Sequence, residues 1–256
     1  MGPSGVGKTE TVLQLTELLF GGNAWLTTIN MSEFQEKHTV SRLIGSPPGY
    51  VGYGEGGILT EAIRKKPYSV VLLDEVEKAH PDVLNLFYQA FDKGEMADGE
   101  GQLIDCKNIA FFLTSNLGYQ TIVEMSDSPE QIPDALYPEL AAFFKPALLA
   151  RMEIVPFLPL GSEILVSIIR SKLAELSNKL STRFNAEIII DEAVYQEIFD
   201  RATRKENGAR MLESVIDGSL LPPVSMVILQ KLSHGDTISR IHFGIEANNF
   251  TVEVES

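Results

Sequence analysis

The chain is nearly without cysteine. Cys106 is the single one in 256 residues, so no internal disulfide can form, and a lone thiol fits a reducing compartment. Histidine is scarce too. His38, His80, His234 and His242 have no cysteine or histidine neighbour at metal-ligand spacing, and they read as structural or surface residues. Positive charge is in deficit: 21 Lys and Arg stand against 35 Asp and Glu, for a net charge of −14. A broadly acidic surface repels phosphate backbones, which argues against generic nucleic-acid binding. No apolar run reads as approaching the roughly 20 residues of a membrane helix. The glycine-rich start lacks both the basic and the apolar segment of a signal peptide. Internal repeats and low-complexity stretches are missing as well. With 44% hydrophobic and 22% charged residues there is ample core, and the length allows one large domain with a smaller companion.

The first half alternates short β-rich runs with helical patterns, which predicts a parallel sheet with helices on both faces. Strands are expected at 25–30, 69–74, 108–114 and 152–157. The run Ser-Val-Val-Leu-Leu-Asp at 69–74 has the continuous apolar character of a strand buried on both faces. Helices are expected at 8–19, 58–65 and 81–92. The texture changes after Pro159. A helix over 162–180 with Ser162 as its cap, a short strand at 188–190 and helices at 193–202 and 209–232 follow. Pro222 and Pro223 must kink or break the last of these. A closing hairpin is expected from 238–243 and 249–254. The domains implied are 1–160, an α/β unit, and 161–256, a small, mostly helical α+β unit.

Gly2-Pro3-Ser4-Gly5-Val6-Gly7-Lys8-Thr9 matches G-x-x-x-x-G-K-[ST] at every position. The glycines let several backbone N–H groups point at one phosphate, and the following helix adds the positive end of its dipole. Lys8 is placed to reach the β- and γ-phosphates, and the Thr9 hydroxyl to ligate Mg²⁺. A glycine turn before a helix is the plainer alternative, and a full match makes it a poor one. In such folds a buried strand runs directly into the loop, whereas only Met1 precedes Gly2. The expectation is therefore a sheet without its first strand, in a chain cut from a longer parent.

Asp74 and Glu75 end the apolar run 69–74 about 65 residues after the loop. Open α/β sheets put ligands at the carboxyl ends of their strands. Asp74 is suited to hold Mg²⁺ through water, and Glu75 to activate the attacking water. Taken alone, Asp-Glu after an apolar run is commonly a solvated loop start. The preceding phosphate loop favours the metal-and-base reading.

These motifs, with the segments Gly45-Ser46-Pro47-Pro48-Gly49-Tyr50-Val51-Gly52-Tyr53-Gly54 and Pro67 through Pro81, resemble the Clp class of AAA+ unfoldases, in particular its second ATPase module. The resemblance covers most of the chain. Residues 30–36, 87–94 and the short acidic C-terminal tail are most similar to the ClpV branch, which recycles contracted type VI secretion sheaths. The ClpB disaggregases are the near neighbour. The resemblance implies a P-loop AAA+ fold binding ATP or ADP with Mg²⁺, and a bacterial cytoplasmic homo-hexamer in the full-length parent. It further implies a polypeptide substrate, no membrane insertion and no nucleic-acid partner. The Ile-Gly-Leu or Ile-Gly-Phe tripeptide of peptidase-docking members does not occur between Asn116 and Arg151, so no peptidase partner is expected.

Four further assignments rest on the resemblance. Asn116, an ordinary turn asparagine by sequence alone, matches the sensor of the γ-phosphate and water, and an amide can donate and accept at once. Arg151 matches the arginine finger inserted into a neighbouring subunit, although Ala150 stands where the class usually has asparagine. Arg210 matches the second sensor arginine. Both arginines supply a permanent charge to the transferred phosphoryl group. Gly49, Tyr50, Val51 and Gly52 match the substrate-gripping pore loop, and 94–105 a lower pore loop built on a turn-rich hairpin. The chain alone is expected to be weakly active or inactive.

Overall fold

The computed structural model describes residues 1–203, 208–234 and 237–255. They form two compact units, Met1–Pro3 with Gly7–Leu158 and Ser4–Val6 with Pro159–Ser256.

In the first unit, Gly7 opens helix α1 (Lys8–Phe20) in the left-handed conformation, at φ 93°, which a side chain resists. A 3₁₀ turn at Asn23–Trp25 precedes strand β1 (Leu26–Asn30), so Trp25 falls outside the strand predicted to begin there. Helices α2 (Val40–Ile44) and α3 (Ile58–Lys65) lead to β2 (Ser69–Asp74). Helix α4 (Pro81–Lys93) starts on Pro81, where a missing N–H costs nothing, and stops at left-handed Gly94. Strands β3 (Glu95–Ala97) and β4 (Leu103–Asp105) pair antiparallel, giving the hairpin expected over 94–105. β5 (Ile109–Leu113), α5 (Tyr119–Glu124), α6 (Ile132–Phe143) and α7 (Pro146–Leu149) complete the unit.

The sheet order is β1-β2-β5 and every pairing is parallel, with Asn30 opposite Asp74 and Leu73 opposite Leu113. Central β2 is covered on both faces. Val70 and Leu72 pack on Val12 of α1. Val71 and Leu73 join Leu59 and Ile63 of α3 and Val83 and Phe87 of α4. Residues 70–73 are each 0% exposed, and burying such a side chain is worth about 1.5–3 kcal/mol. This is the α/β layering that the apolar run predicts.

β5 is equally apolar, yet only Ile109 is buried and its other residues are half-exposed. Among the described residues its second edge pairs with no strand. Among the same residues the strand expected at 152–157 forms no ladder; its backbone bonds to Met1 at Val155 and Phe157, while Met152 and Ile154 pack on the core. The Met1 amino group donates to the Val155 carbonyl at 2.7 Å, and Phe157 N donates to the Met1 carbonyl at 2.7 Å. Gly2 N donates to the Ser115 carbonyl at 3.2 Å. A methyl on Gly2 would stand 2.4 Å from the Phe157 oxygen, so this close approach requires glycine.

The second unit begins with helix α8 (Ser162–Phe184), whose cap is Gly161. Ser162 is already inside the helix and makes no capping bond, which corrects the expected cap. Strand β6 (Glu187–Ile190), helices α9 (Glu192–Thr203), α10 (Gly208–Val215) and α11 (Leu221–Ser233), and strands β7 (Arg240–Glu246) and β8 (Asn249–Glu255) follow. β6 pairs parallel to β7, and β7 antiparallel to β8. The hairpin turns through Ala247 and Asn248, both at positive φ (46° and 67°). Pro222 and Pro223 do not break the helical path. They sit in the first turn of α11, directly after a wide π-type turn at Ile216–Leu220 that absorbs the lost N–H groups.

One exclusion from composition needs correction. The continuous stretch Met211–Ser233 is long and apolar enough to cross a membrane. Here Leu212, Leu220, Val224 and Ile228 of that stretch are buried in the core of the second unit with Ile241 and Phe243. The two prolines disguised its length in the sequence.

Candidate functional site

Parallel register brings the carboxyl ends of β1, β2 and β5 to one edge of the sheet, and Lys8, Thr9, Asp74, Glu75 and Asn116 meet there. Lys8 Nζ donates to the carbonyls of Gly2 (2.5 Å) and Pro3 (2.8 Å) and to Asn116 Oδ1 (2.7 Å). The ammonium is thus held at the base of the loop, with the sensor candidate on β5's exit as one of its anchors. Gly5 takes a positive φ of 75°, as the curled backbone needs.

Thr9 Oγ1 donates to Asp74 Oδ1 at 3.3 Å, and the Thr114 hydroxyl donates to the same oxygen. A hydroxyl and a carboxylate facing each other are hard oxygen donors of the kind Mg²⁺ selects. Glu75 follows at φ 59°, a conformation unusual for a residue with a side chain and frequent at working sites. Three bonds hold it: its N–H donates to Thr114 Oγ1 at 3.2 Å, its carbonyl accepts from Lys78 N at 3.0 Å, and Lys78 Nζ meets its Oε2 at 2.8 Å. Thr114 therefore braces the Asp74 carboxylate and the Glu75 backbone.

Sequence reading missed Thr114 and Lys78. Thr114 was open to discovery, since it follows Leu113, the register partner of Leu73, and so must end beside Asp74. Lys78 lies three residues after Glu75 within a 3₁₀ turn, where i and i+3 side chains eclipse.

Arg151 is directed elsewhere. Its guanidinium donates to the Ala147 carbonyl at 2.6 Å, pairs with Asp92, and lies 6.0 Å from the Tyr88 ring. Arg210 lies in α10 of the second unit, and its side chain falls outside the described residues. Ser4, Gly5 and Val6 group with the second unit.

The loop that follows α2 presents Tyr50, 70% exposed, and Val51, 100% exposed. Gly49 and Gly52 flank them at φ 89° and 85°, and Ser46 Oγ closes the turn by donating to the Val51 carbonyl at 2.9 Å. The tip of the β3–β4 hairpin is bonded to the base of this loop. Gly99 N donates to the Ile44 carbonyl at 2.9 Å. Asp98 pairs with Arg64 of α3. Burial opposes the charge on Asp98, but bonds from Arg64 and from the backbone N–H groups of Gln102 and Glu100 outweigh it and hold the carboxyl below its usual range. A methyl on Gly99 would stand 2.3 Å from the Gly45 carbonyl. Gly99→Ala is expected to push the hairpin off the tyrosine loop at a cost of about 1–3 kcal/mol, read from the denaturant midpoint. An unchanged midpoint would show that the two loops are not packed as described.

Comparison with known proteins places the chain in a family. Residues 1–155 match the AAA domain (Cdc48 subfamily), and residues 160–240 match the C-terminal, D2-small domain of ClpB protein. The chain is 46% identical to the AAA+ ATPase ClpV1 of Pseudomonas aeruginosa over 97% of its length and 28% of that protein. It is 48% identical to the chaperone protein ClpB of Yersinia enterocolitica over 99% of its length and 29% of that protein. The chain thus spans less than a third of these curated relatives, and the two identities do not separate ClpV from ClpB. Among solved structures, a closed-state cryo-electron-microscopy reconstruction of Hsp104 with ATPγS and FITC casein superposes with a TM-score of 0.84 at 31% identity, covering 99% of this chain and 44% of that one. The chain belongs to the AAA+ ATPases, as a Clp/Hsp100 second-ring module with a ClpB-type D2-small domain.

Proposed function

We propose that this module hydrolyses ATP to thread polypeptide through the pore of a ring, as part of a longer, hexameric, cytoplasmic unfoldase. The observation that carries the proposal is the convergence, in the first unit, of Lys8, Thr9, Asp74, Glu75 and Asn116 through the bonds among them and to Thr114, with the exposed Tyr50–Val51 tip in the same unit. Gly2 to Thr9 cradle the phosphates, and Lys8 neutralises them. Mg²⁺ would be held by Thr9 Oγ1 and, through water, by Asp74, where it supplies charge to the phosphate oxygens. Glu75 takes the proton of the attacking water. Asn116 orients that water and the γ-phosphate. Arg210 offsets charge on the phosphoryl group.

Arg151 completes the site of a neighbouring subunit, which requires it to exchange Asp92 for a phosphate. That exchange makes hydrolysis depend on assembly. Tyr50 offers one large amphipathic ring between two glycines, so a ring of such side chains grips an extended chain without reading its sequence.

The substrate we favour is the contracted type VI secretion sheath, supported by the ClpV-like segments 30–36 and 87–94. A ClpB-like disaggregase is the second reading. No peptidase partner is proposed. Tyr50→Ala in the full-length hexamer is expected to leave ATP turnover within about threefold and to abolish remodelling, since one exposed side chain is far from the phosphates. Sheath disassembly and aggregate recovery should be assayed side by side. Remodelling that survives the substitution would refute threading, and activity on aggregates alone would select the disaggregase.

A further inference from the structure

The turn that carries Glu75 is held from a single residue at the end of the neighbouring strand. Thr114 extends the β2–β5 pairing by one step, its N–H donating to the Leu73 carbonyl at 3.0 Å. Its own carbonyl accepts from Val76 N at 3.1 Å. Its hydroxyl accepts from Glu75 N at 3.2 Å and donates to Asp74 Oδ1. Thr114 thus bonds to each of Leu73, Asp74, Glu75 and Val76, and it is only 5% exposed.

Glu75 sits at φ 59°. A residue with a side chain persists in that region only where its surroundings fix it. Here two successive amides, of Glu75 and Val76, are both spent on Thr114, one on its side chain and one on its backbone. The backbone bonds do not depend on which side chain stands at 114. The bond from Glu75 N does. A hydroxyl carries one proton and two lone pairs. Asp74 Oδ1 takes the proton, which turns a lone pair toward the Glu75 N–H. Valine has nearly the same shape and can do neither. Serine can do both and lacks only the methyl.

We propose that the Thr114 hydroxyl is a positioning group for hydrolysis: oriented by Asp74, it fixes the left-handed turn that aims the Glu75 carboxylate at the attacking water. The inference rests on the reading of Glu75 as the general base. Thr114 acts through Glu75 and needs no contact of its own with water or phosphate. The turn sets the direction in which the base leaves the backbone, and Lys78 then meets its Oε2 at 2.8 Å. A base displaced by about 1 Å can lose about a hundredfold in rate. The support of the base also lies two residues before Asn116, whose Oδ1 accepts from Lys8 at 2.7 Å. The strand end 114–116 therefore carries both the group that holds the base and the candidate sensor of the γ-phosphate.

The test compares Thr114→Val, Thr114→Ser and the parent in the full-length assembly, at a temperature where melting curves show all three folded. Thr114→Val should lower kcat by up to about a hundredfold. Its KM for ATP should stay within about threefold, since nucleotide binding does not pass through this hydroxyl. Thr114→Ser should restore kcat to within about threefold of the parent. Hydrogen exchange at the Glu75 amide should quicken in Thr114→Val and not in Thr114→Ser. Added to Glu75→Gln, Thr114→Val should slow turnover by less than about threefold more, because the base it positions is already gone. A kcat unchanged in Thr114→Val overturns the proposal. So does Thr114→Ser as slow as Thr114→Val, which would make the methyl's packing decisive, and so does a fully multiplied loss in the double variant. Retained turnover in Glu75→Gln would take the base away from Glu75, and this role from Thr114 with it. A slow Glu75→Gln beside an unimpaired Thr114→Val would leave the base in place and reject the hydroxyl's part alone.

Discussion

Replacing Lys8 by methionine should weaken ATP binding by roughly thirty- to several-thousand-fold, the 2–5 kcal/mol range for truncating one partner of a buried charge pair. The structure makes the case sharper than the motif does. The ammonium already has three oxygen acceptors, at 2.5, 2.8 and 2.7 Å. It is fixed before nucleotide arrives, so little side-chain entropy is left to lose on binding. Methionine keeps an unbranched apolar stem and removes the ammonium, with its charge and its N–H donors. The same change frees the Gly2 and Pro3 carbonyls and Asn116, so some loosening of the loop is expected with it. Calorimetric titration with ATP and with ADP, beside thermal unfolding of each protein, separates the two effects. A large affinity loss with a small shift in melting identifies the phosphate role. Affinity within about threefold of the parent would mean that Lys8 is only a loop anchor.

The fold was legible wherever one local signal decided it. The run 69–74 was apolar at every interior position because β2 is covered on both faces, and Asp74 and Glu75 had to follow at the ligand edge. β5 reads the same way in sequence, yet its second edge is open, because pattern reports what a strand could bury and not what lies beside it. The segment 152–157 forms no ladder for the same reason: pairing is a property of two segments, and among the described residues its ladder-like bonds go to Met1 alone. Pro222 and Pro223 suggested a kink or a break, and the interruption takes the form of a π-type turn between α10 and α11. At the site, residues in the motif were found at once. Thr114 and the Asp92 partner of Arg151 were not, since their contacts span 40 and 59 positions and need the register and packing of the folded chain, and Lys78 meets Glu75 only once the 3₁₀ turn after β2 is known.

Glu75→Gln should lower ATP turnover by about 10²–10⁴-fold, the usual contribution of a general base, while ATP binding stays intact. Glutamine preserves the size of the side chain and the backbone bond to Thr114 Oγ1, which depends only on the Glu75 N–H. It removes the negative charge that Lys78 meets at 2.8 Å and the basicity that a water must lose its proton to. The left-handed backbone at φ 59° is unaffected in kind, since glutamine and glutamate differ only at the tip of the side chain. Stability should therefore change little, for the Lys78 pair is partly exposed and such pairs are worth at most about 1 kcal/mol. The measurements are single-turnover hydrolysis, nucleotide affinity and remodelling on the same full-length assembly. Bound, unhydrolysed ATP with no remodelling is the result expected of a motor. Retained remodelling with turnover abolished would show that nucleotide only holds the ring together, and retained turnover would move the base away from Glu75 altogether.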